Sequence, residues 1–507
     1  MFKKHPKGLL GAAFANMGER FGFYTMMAIL VLFLQTKFGL NGEEAGTIYS
    51  FFYAGIYFLS LFGGIIADKT KKFKTTIFAG LILMTLGYVL LAIPTPTPVP
   101  TDSYNLMLYL SCGALFIIAF GNGLFKGNLQ ALVGQMYDNE KYSKMRDEGF
   151  SIFYMFINVG AIFAPVIAVA VRNWWIQTNG YAYNQSLPDL SHSFLNSGGN
   201  EGAAKFAEVA QSVGYTGSDY TAFANEYLNI FTTGFHYAFG AAIVAMLISV
   251  VIFLVNKNKF PDPSQKSAAT ADKAEIEMSI KEVRQRVMAL IAVFCVVIFF
   301  WFSFHQNGLT LTFFAKDYTD LSGINIDLGF TKLVGAELFQ SINPFFVVFL
   351  TPIVLAVFAS LRAKDKEPST PKKIAIGMFI AALGFVLMSV GSLGLPTRAE
   401  AAATGYVPDV TPWLLVGTYF ILTVAELFIS PLGISFVSKV APPKLQGLMQ
   451  ALWLCATAIG NLALVIGAIF YEKIALSGTW MIFVSVCLLS MVAMLVMLKW
   501  LERVSGK

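Results

Sequence analysis

The sequence predicts an all-α polytopic membrane protein of twelve transmembrane helices. Three observations carry this: the balance of residue types, the recurrence of long apolar runs, and a one-sided distribution of basic residues. Of the 507 residues, 56% are hydrophobic and only 13% charged, and the mean hydropathy is +0.64. That balance belongs to a chain whose solvent is largely lipid. In hydrocarbon every backbone N–H and C=O must be satisfied within the chain, so runs of about 20 apolar residues cross as helices.

Twelve such runs are legible, at 9–36, 46–67, 75–93, 106–134, 149–171, 235–256, 287–314, 338–361, 372–394, 412–438, 446–470 and 479–499. The first is too long for a signal-peptide core and carries Glu19 and Arg20, so it reads as a retained span. Basic residues hold short loops in the cytoplasm. Assigning alternate loops to one side puts 27 of the 36 Lys and Arg residues with the two termini, 7 opposite, and 2 (Arg20 and Lys126) inside spans. Both termini are therefore expected in the cytoplasm. The net charge of +6 reports this topology and does not imply a nucleic-acid partner.

The spans divide six and six. An N-terminal bundle is expected over 1–256, a polar linker over 257–286 with a surface helix or solvated strand of chain near 275–285, and a C-terminal bundle over 287–507. The segment 173–232 is rich in Asn, Gly, Ser and Tyr, with a short helix expected at 201–213. It faces outside, as a lid or as an ordered loop. Cys112, Cys295, Cys455 and Cys487 all fall in spans with no metal-type spacing, which reads as packing. No metal cluster, nucleophile arrangement or phosphate-cradling loop is visible, which leaves a membrane enzyme, receptor or ATP-driven pump without support.

An ionisable group at mid-bilayer costs about 3 kcal/mol or more unless paired or hydrated, so those retained there are the informative ones. They are Glu19, Arg20, Lys126, His305 and Glu426. Glu19 and Arg20 point about 100° apart on a helix, so each is expected to seek a partner on another helix, either in a static ion network or at a working site. Lys126 admits two readings, a cavity cation or a snorkelling side chain on a helix that packs closely at Gly121, Gly123 and Gly127. Glu426 is a cavity acid or one buried hydrogen-bonded acid. His305, beside Gln306, is structural or functional. His236 reads as interfacial at the outer start of the sixth span.

Around these residues the chain resembles the proton-dependent oligopeptide transporters (POT/PTR) of the major facilitator superfamily, over nearly all of its length except 173–232. Phe150-Ser-Ile-Phe153-Tyr154-Met-Phe-Ile157-Asn158-Val-Gly160-Ala-Ile162 is similar to the family's fifth-helix pattern. Gly121-Asn-Gly123-Leu-Phe-Lys126-Gly127-Asn128 resembles its fourth-helix G-x-G-x-x-K-P-N, with Gly127 in place of proline. Gln340-Ser-Ile-Asn343-Pro344 and Glu426-Leu-Phe-Ile-Ser430-Pro431-Leu-Gly433 resemble eighth- and tenth-helix patterns, and Gly63-Gly64-Ile-Ile-Ala67-Asp68 the superfamily's second-to-third-helix loop.

The resemblance implies a major facilitator fold and a monomeric symporter of di- and tripeptides in the bacterial inner membrane, driven by the proton gradient and without a cofactor. Lys126 would meet the peptide carboxylate and Glu426 its ammonium group. Asn158 and Asn343 would hold the peptide backbone, with Ser430 nearby and Tyr24, Trp301 and Trp453 as aromatic walls. Glu19, Arg20 and His305 would serve proton coupling and gating. The chain also departs from the family pattern. E-x-x-E-R-F-x-Y-Y reads here Asn16-Met-Gly-Glu19-Arg20-Phe21-Gly-Phe23-Tyr24, Met27 replaces a frequent arginine, and His305 stands where a glutamate is usual. These departures keep a second reading open: a carrier of another small zwitterion or organic anion, or an uncoupled facilitator.

Overall fold

A computed structural model describes residues 5–137, 141–142, 146–200, 202–261, 279–442 and 445–505. Among them, twelve helices or helix pairs are long and apolar enough to cross a membrane. The first six crossings are α1 (Leu9–Phe38), α2 (Gly42–Thr70), α3 (Phe73–Ala92), α4 (Tyr104–Met136), α5 (Arg146–Thr178) and α8 (Tyr220–Asn256). Between α5 and α8 lie two short helices, α6 (Leu187–Asn196) and α7 (Ala203–Ser212).

The second six are α9 (Ile280–Phe304) continued by α10 (Thr310–Asp317), α11 (Ile342–Ala363), α12 (Thr370–Gly391), α14 (Pro412–Val440), α15 (Gln446–Leu462) continued by α16 (Leu464–Lys473), and α17 (Leu476–Ser505). A short α13 (Arg398–Thr404) and a two-residue hairpin of β1 (Ile326–Asp327) and β2 (Lys332–Leu333) cap the side away from the termini. We call that side the far side.

Two six-helix bundles result. In the first, α4 packs on α2 and α3, and α1 on α5 and α8; in the second, α12 packs on α14 and α17, and α9 on α15 and α17. The bundles meet where α2 lies against α15 and α16, and where α5 lies against α11. Without a hydrophobic drive inside lipid, close backbone approach holds such helices together. A Cβ on Gly80 would sit 2.6 Å from the Gly121 carbonyl oxygen, and one on Gly121 2.8 Å from that of Gly80, so α3 and α4 cross almost backbone on backbone. A Cβ on Gly160 would likewise sit 2.7 Å from the Met17 carbonyl oxygen, so α5 approaches α1 closely there. Gly127, by contrast, faces open space.

Several expectations need correction. The polar segment is shorter than 173–232, because α5 runs on to Thr178 and α8 starts at Tyr220. The Asp219 side chain accepts from the Ala222 N–H at 2.9 Å, an N-cap that starts the sixth crossing well before its apolar run begins. His236 therefore sits inside a helix, 3% exposed, its Nδ1 2.5 Å from the Leu91 carbonyl and its ring edge-on to Phe33. It is a core residue rather than an interfacial one. The segment holds two helices where one was expected, and the seventh and eleventh crossings are each broken. The four cysteines are unpaired, and Cys295 is exposed. Of the linker helix expected at 275–285, residues 275–278 lie outside the described residues, as do 262–274, and α9 begins at Ile280.

Candidate functional site

Both breaks in the helices fall near a central cavity lined by His305, Gly308 and Thr457. The seventh crossing leaves α-helical geometry at His305–Gly308, and the eleventh pauses at Ala463 between α15 and α16. The side chains tie the two interruptions together. His305 Nδ1 bonds the Asn461 side-chain oxygen, and the Gln306 amide donates to the Leu464 carbonyl at 3.3 Å. Interrupted helices paired at mid-membrane leave polar backbone where a solute site needs it. Proline adds a third irregularity: Pro431 within α14 lacks the N–H that would satisfy the Leu427 carbonyl, one residue from Glu426.

The cavity holds about 300 Å³ and draws its lining from both bundles. Lys126 of α4 and Glu426 of α14 both line it and both are partly exposed to it. The Lys126 ammonium lies 4.4 Å from the centre of the Tyr57 ring, a cation–π contact that orients it inward rather than toward an interface. Glu426 Oε2 accepts from Asn343 at 2.9 Å, and the same amide donates to the Thr423 hydroxyl at 3.0 Å. Asn343 thus spends both N–H groups on α14 and offers a ligand only its carbonyl oxygen.

Tyr24, Asn158, Trp301, Ser430 and Trp453 also line the cavity. Asn158 donates to the Tyr154 carbonyl one turn back at 3.1 Å, which leaves its oxygen free to accept. Trp301 is 7% exposed, and its indole N–H has no partner among the described residues. Its ring stacks on His305 at 4.8 Å between centroids. From the first bundle Tyr53 meets the same imidazole at 4.8 Å. Met27 lines the cavity where the family pattern often holds arginine.

Glu19 does not line the cavity. It is fully buried, and both of its oxygens bind Arg20, Nε to Oε2 at 2.6 Å and Nη2 to Oε1 at 2.8 Å, with the Asn122 amide donating to Oε1 at 2.8 Å. The expectation that each charge seeks another helix is wrong for Arg20. Its long side chain curls back along α1 to its sequence neighbour and lies 4.8 Å over Phe23. Arg20, the one member of this neutralised pair that reaches the cavity, does line it.

The cavity opens toward the termini. Tyr154 and Ile434, on the termini side of its lining, are 49% and 48% exposed. The far side is tied shut by polar groups that hydropathy alone did not single out. Arg172 of α5 pairs with Glu337 just ahead of α11, both fully buried, and the guanidinium lies 4.4 Å over Tyr183. The adjacent Asn173 amide donates to the carbonyls of Lys332 and Val334 at 2.7 and 2.9 Å. Asp189 of α6 bridges Lys316 at 2.7 Å and Arg398 at 2.9 Å, and Arg398 also reaches Asp317 at 3.2 Å. Burial alone would raise the Asp189 carboxyl, yet Lys316 and Arg398 overcome it and hold the group down at about 2. The sequence signal for Arg172 and Glu337 was present, a charge at each edge of a predicted span.

Residues 74–281 and 264–481 match the model of the POT family. The peptide transporter YePEPT of Yersinia enterocolitica is 27% identical, spanning 98% of this chain and 94% of its own length. A di-/tripeptide transporter of Lactococcus lactis subsp. cremoris is likewise 27% identical, over 90% of this chain and 87% of its own. Among solved structures, that of a peptide transporter POT in complex with sulfate superposes with a TM-score of 0.71 at 25% identity, covering 99% of this chain and 96% of the other.

Proposed function

This chain belongs to the POT family, and from that premise we propose that it takes up di- and tripeptides together with protons by alternating access. The family is one of transporters, not enzymes. The observation that carries the reading is that Lys126 and Glu426, one from each bundle, line a single cavity. A zwitterion with fixed terminal charges and a variable middle bridges such poles. Asn158 and Asn343 present carbonyl oxygens to the peptide N–H, while Tyr24, Trp301 and Trp453 supply adaptable walls and Ser430 a hydroxyl beside Glu426. The named substrates of the relatives agree with this reading.

Proton coupling is assigned to His305 and Glu426, with Arg20 and Glu19 as a locked pair that gates the first bundle. His305 replaces the acid of the family pattern. It reverses the local charge and takes a proton at ordinary pH in its reference state. A membrane potential of about 100 mV supplies roughly 2.3 kcal/mol per charge, about fifty-fold accumulation. No cofactor is needed when the gradient is the energy source.

We further propose that both termini are cytoplasmic, that the membrane is a bacterial inner membrane, and that the divide runs 1–256, linker 257–286 and 287–507. The conformation is then inward-open. One chain contains the whole cavity, which favours a working monomer. The second reading, an uncoupled facilitator or a carrier of another small zwitterion or organic anion, is favoured by one observation: Glu19 is withdrawn from the cavity by Arg20 and Asn122. Counterflow of labelled dialanine into proteoliposomes, with and without an imposed pH difference, separates them. Symport predicts uptake that rises with the inward proton gradient, and His305→Ala is expected to abolish that rise. A pH response that survives in His305→Ala removes His305 from the coupling role.

A further inference from the structure

The tip of the β1–β2 hairpin carries an apolar side chain where a turn in water carries polar ones. Leu328 donates its N–H to the Thr331 carbonyl at 2.9 Å, and Gly329 takes a positive φ of 82°, which makes Gly329-Phe330 the two central residues of a tight hairpin turn. Phe330 is 66% exposed, and Ile326 and Leu328 are exposed beside it. An exposed apolar patch of this kind marks a surface that meets something other than water.

The contacts of the hairpin with α5 say what that is. The Thr331 hydroxyl donates to the Ala170 carbonyl at 3.0 Å, and Leu333 packs with Val169 and Ala170. Phe163, Ile167 and Trp174 form the exposed stripe of α5. At about 100° per residue Ala170 falls on that same stripe, yet it is buried, because the hairpin lies over it. The hairpin therefore rests on the lipid-facing side of α5. Its depth follows from Trp174, which is exposed where interfacial tryptophans sit. Ala170 is one turn, about 6 Å, further into the membrane. Lys332 is long enough to reach the headgroups from there, and Asp327, its partner in register, accepts from the Gly329 N–H at 2.7 Å.

We propose that Ile326, Leu328 and Phe330 seat the hairpin in the far-side leaflet of the bilayer, and that this seat helps to hold the far side closed. The partner is the acyl-chain region of the leaflet. The link to closure is covalent and short: the hairpin supplies the Lys332 and Val334 carbonyls that bind Asn173, and the chain then reaches Glu337, the partner of Arg172. The seat rests on the twelve-crossing fold alone. Its effect on the gate rests on the alternating-access reading above.

Depth is read from a fluorophore in a protein whose Cys112, Cys295, Cys455 and Cys487 are replaced by alanine. Phe330→Cys is labelled with nitrobenzoxadiazole and placed in phosphatidylcholine vesicles, with either a nitroxide near the top of the acyl chains or iodide in the water as quencher. Ala204→Cys on α7 is the water-exposed standard and Phe163→Cys the lipid-exposed one. The Phe330 label is expected to lose at least half its emission to the nitroxide lipid and to be at least threefold less sensitive to iodide than the Ala204 label. Iodide quenching equal to that at Ala204 overturns the proposal. So does protection from both quenchers, the signature of a second copy of the chain covering the hairpin.

The gate is read from maleimide labelling of Thr36→Cys, a buried position, in the same background. Phe330→Asp is expected to speed this labelling several-fold, while Phe330→Trp, which keeps a side chain suited to the interface, leaves it within twofold. An unchanged rate in Phe330→Asp, or a Phe330→Trp protein as fast as Phe330→Asp, overturns the hold of the leaflet on the gate. Dialanine uptake plays no part in either readout, so failure of the peptide reading is told apart from failure of this one.

Discussion

Single residues set the chemistry of the cavity, and their neighbours decide how firmly each is held. Glu426 owes its orientation to Asn343, which is itself fixed by Thr423. Replacing Asn343 by Ala should therefore act through Glu426. We expect the apparent KM for dialanine to rise about tenfold, with Thr423→Val showing a smaller rise of the same kind, both read from initial uptake rates. Such a loss corresponds to about 1.4 kcal/mol, the worth of one charge-assisted hydrogen bond. An unchanged KM in both variants would separate Asn343 from Glu426. At this scale the sequence was informative because membrane physics makes every buried charge conspicuous: Lys126, Glu426 and His305 stood out for that reason and line the cavity. The pairing of Glu19 with Arg20 was not legible. Helix periodicity places Cβ atoms, whereas an arginine has enough torsions to return to its neighbour. The tyrosines of α2 were equally hidden, since Tyr49, Tyr53 and Tyr57 look like ordinary apolar filling until the cavity wall is seen.

Elements carry the closure of the far side. α6 inserts Asp189 between Lys316 and Arg398, and the His192 ring bonds the Thr36 carbonyl at 2.7 Å, so the segment between α5 and α8 touches both bundles. Asp189→Asn should weaken this clasp and populate the state open to the far side. A cysteine at Thr36, a buried position, should then react several-fold faster with an impermeant maleimide; an unchanged rate would make the clasp ornamental. The pH dependence has a definite sign. The Asp189 carboxyl is held down at about 2 against an ordinary value of 3.8. Its contribution to closure is thus complete above 3.8 and is lost only as the pH falls toward about 2. The maleimide labelling rate at Thr36→Cys, divided by that of a solvent-exposed cysteine at the same pH to remove the change in thiolate fraction, should accordingly be flat between pH 5 and pH 8.

The buried Arg172–Glu337 pair is a second bolt. Removing one partner of such a pair leaves an uncompensated charge and costs about 3–5 kcal/mol, which can be relieved by opening the far side rather than by unfolding. Glu337→Gln is expected to raise labelling at Thr36→Cys on the order of a hundredfold, and labelling at the unaltered rate would show that the pair does not hold the gate. These elements were poorly legible. Hydropathy ends a span where polar residues begin, yet α5 and α8 continue as helices past that point, with the Asp219 cap starting α8 at Tyr220. The breaks at His305–Gly308 and Ala463 were missed because apolar content does not distinguish a continuous helix from an interrupted one.

At the scale of the whole molecule, two bundles close over a cavity on the far side and leave it accessible from the side of the termini. The twelve crossings were legible because lipid imposes length and apolarity on every one of them. How the bundles lean on each other was not, since that depends on a few polar ties rather than on the average of many residues. Solute capture depends on Lys126 and Glu426 holding opposite ends of one ligand. The most direct measurement is counterflow of labelled dialanine by the unaltered protein, Lys126→Gln and Glu426→Gln, with N-acetyl and C-amide dialanine as competitors. The expected result is a loss of at least tenfold in each variant and no competition by either capped peptide. Near-normal counterflow by both folded variants, or full competition by a peptide lacking one terminal charge, would contradict it.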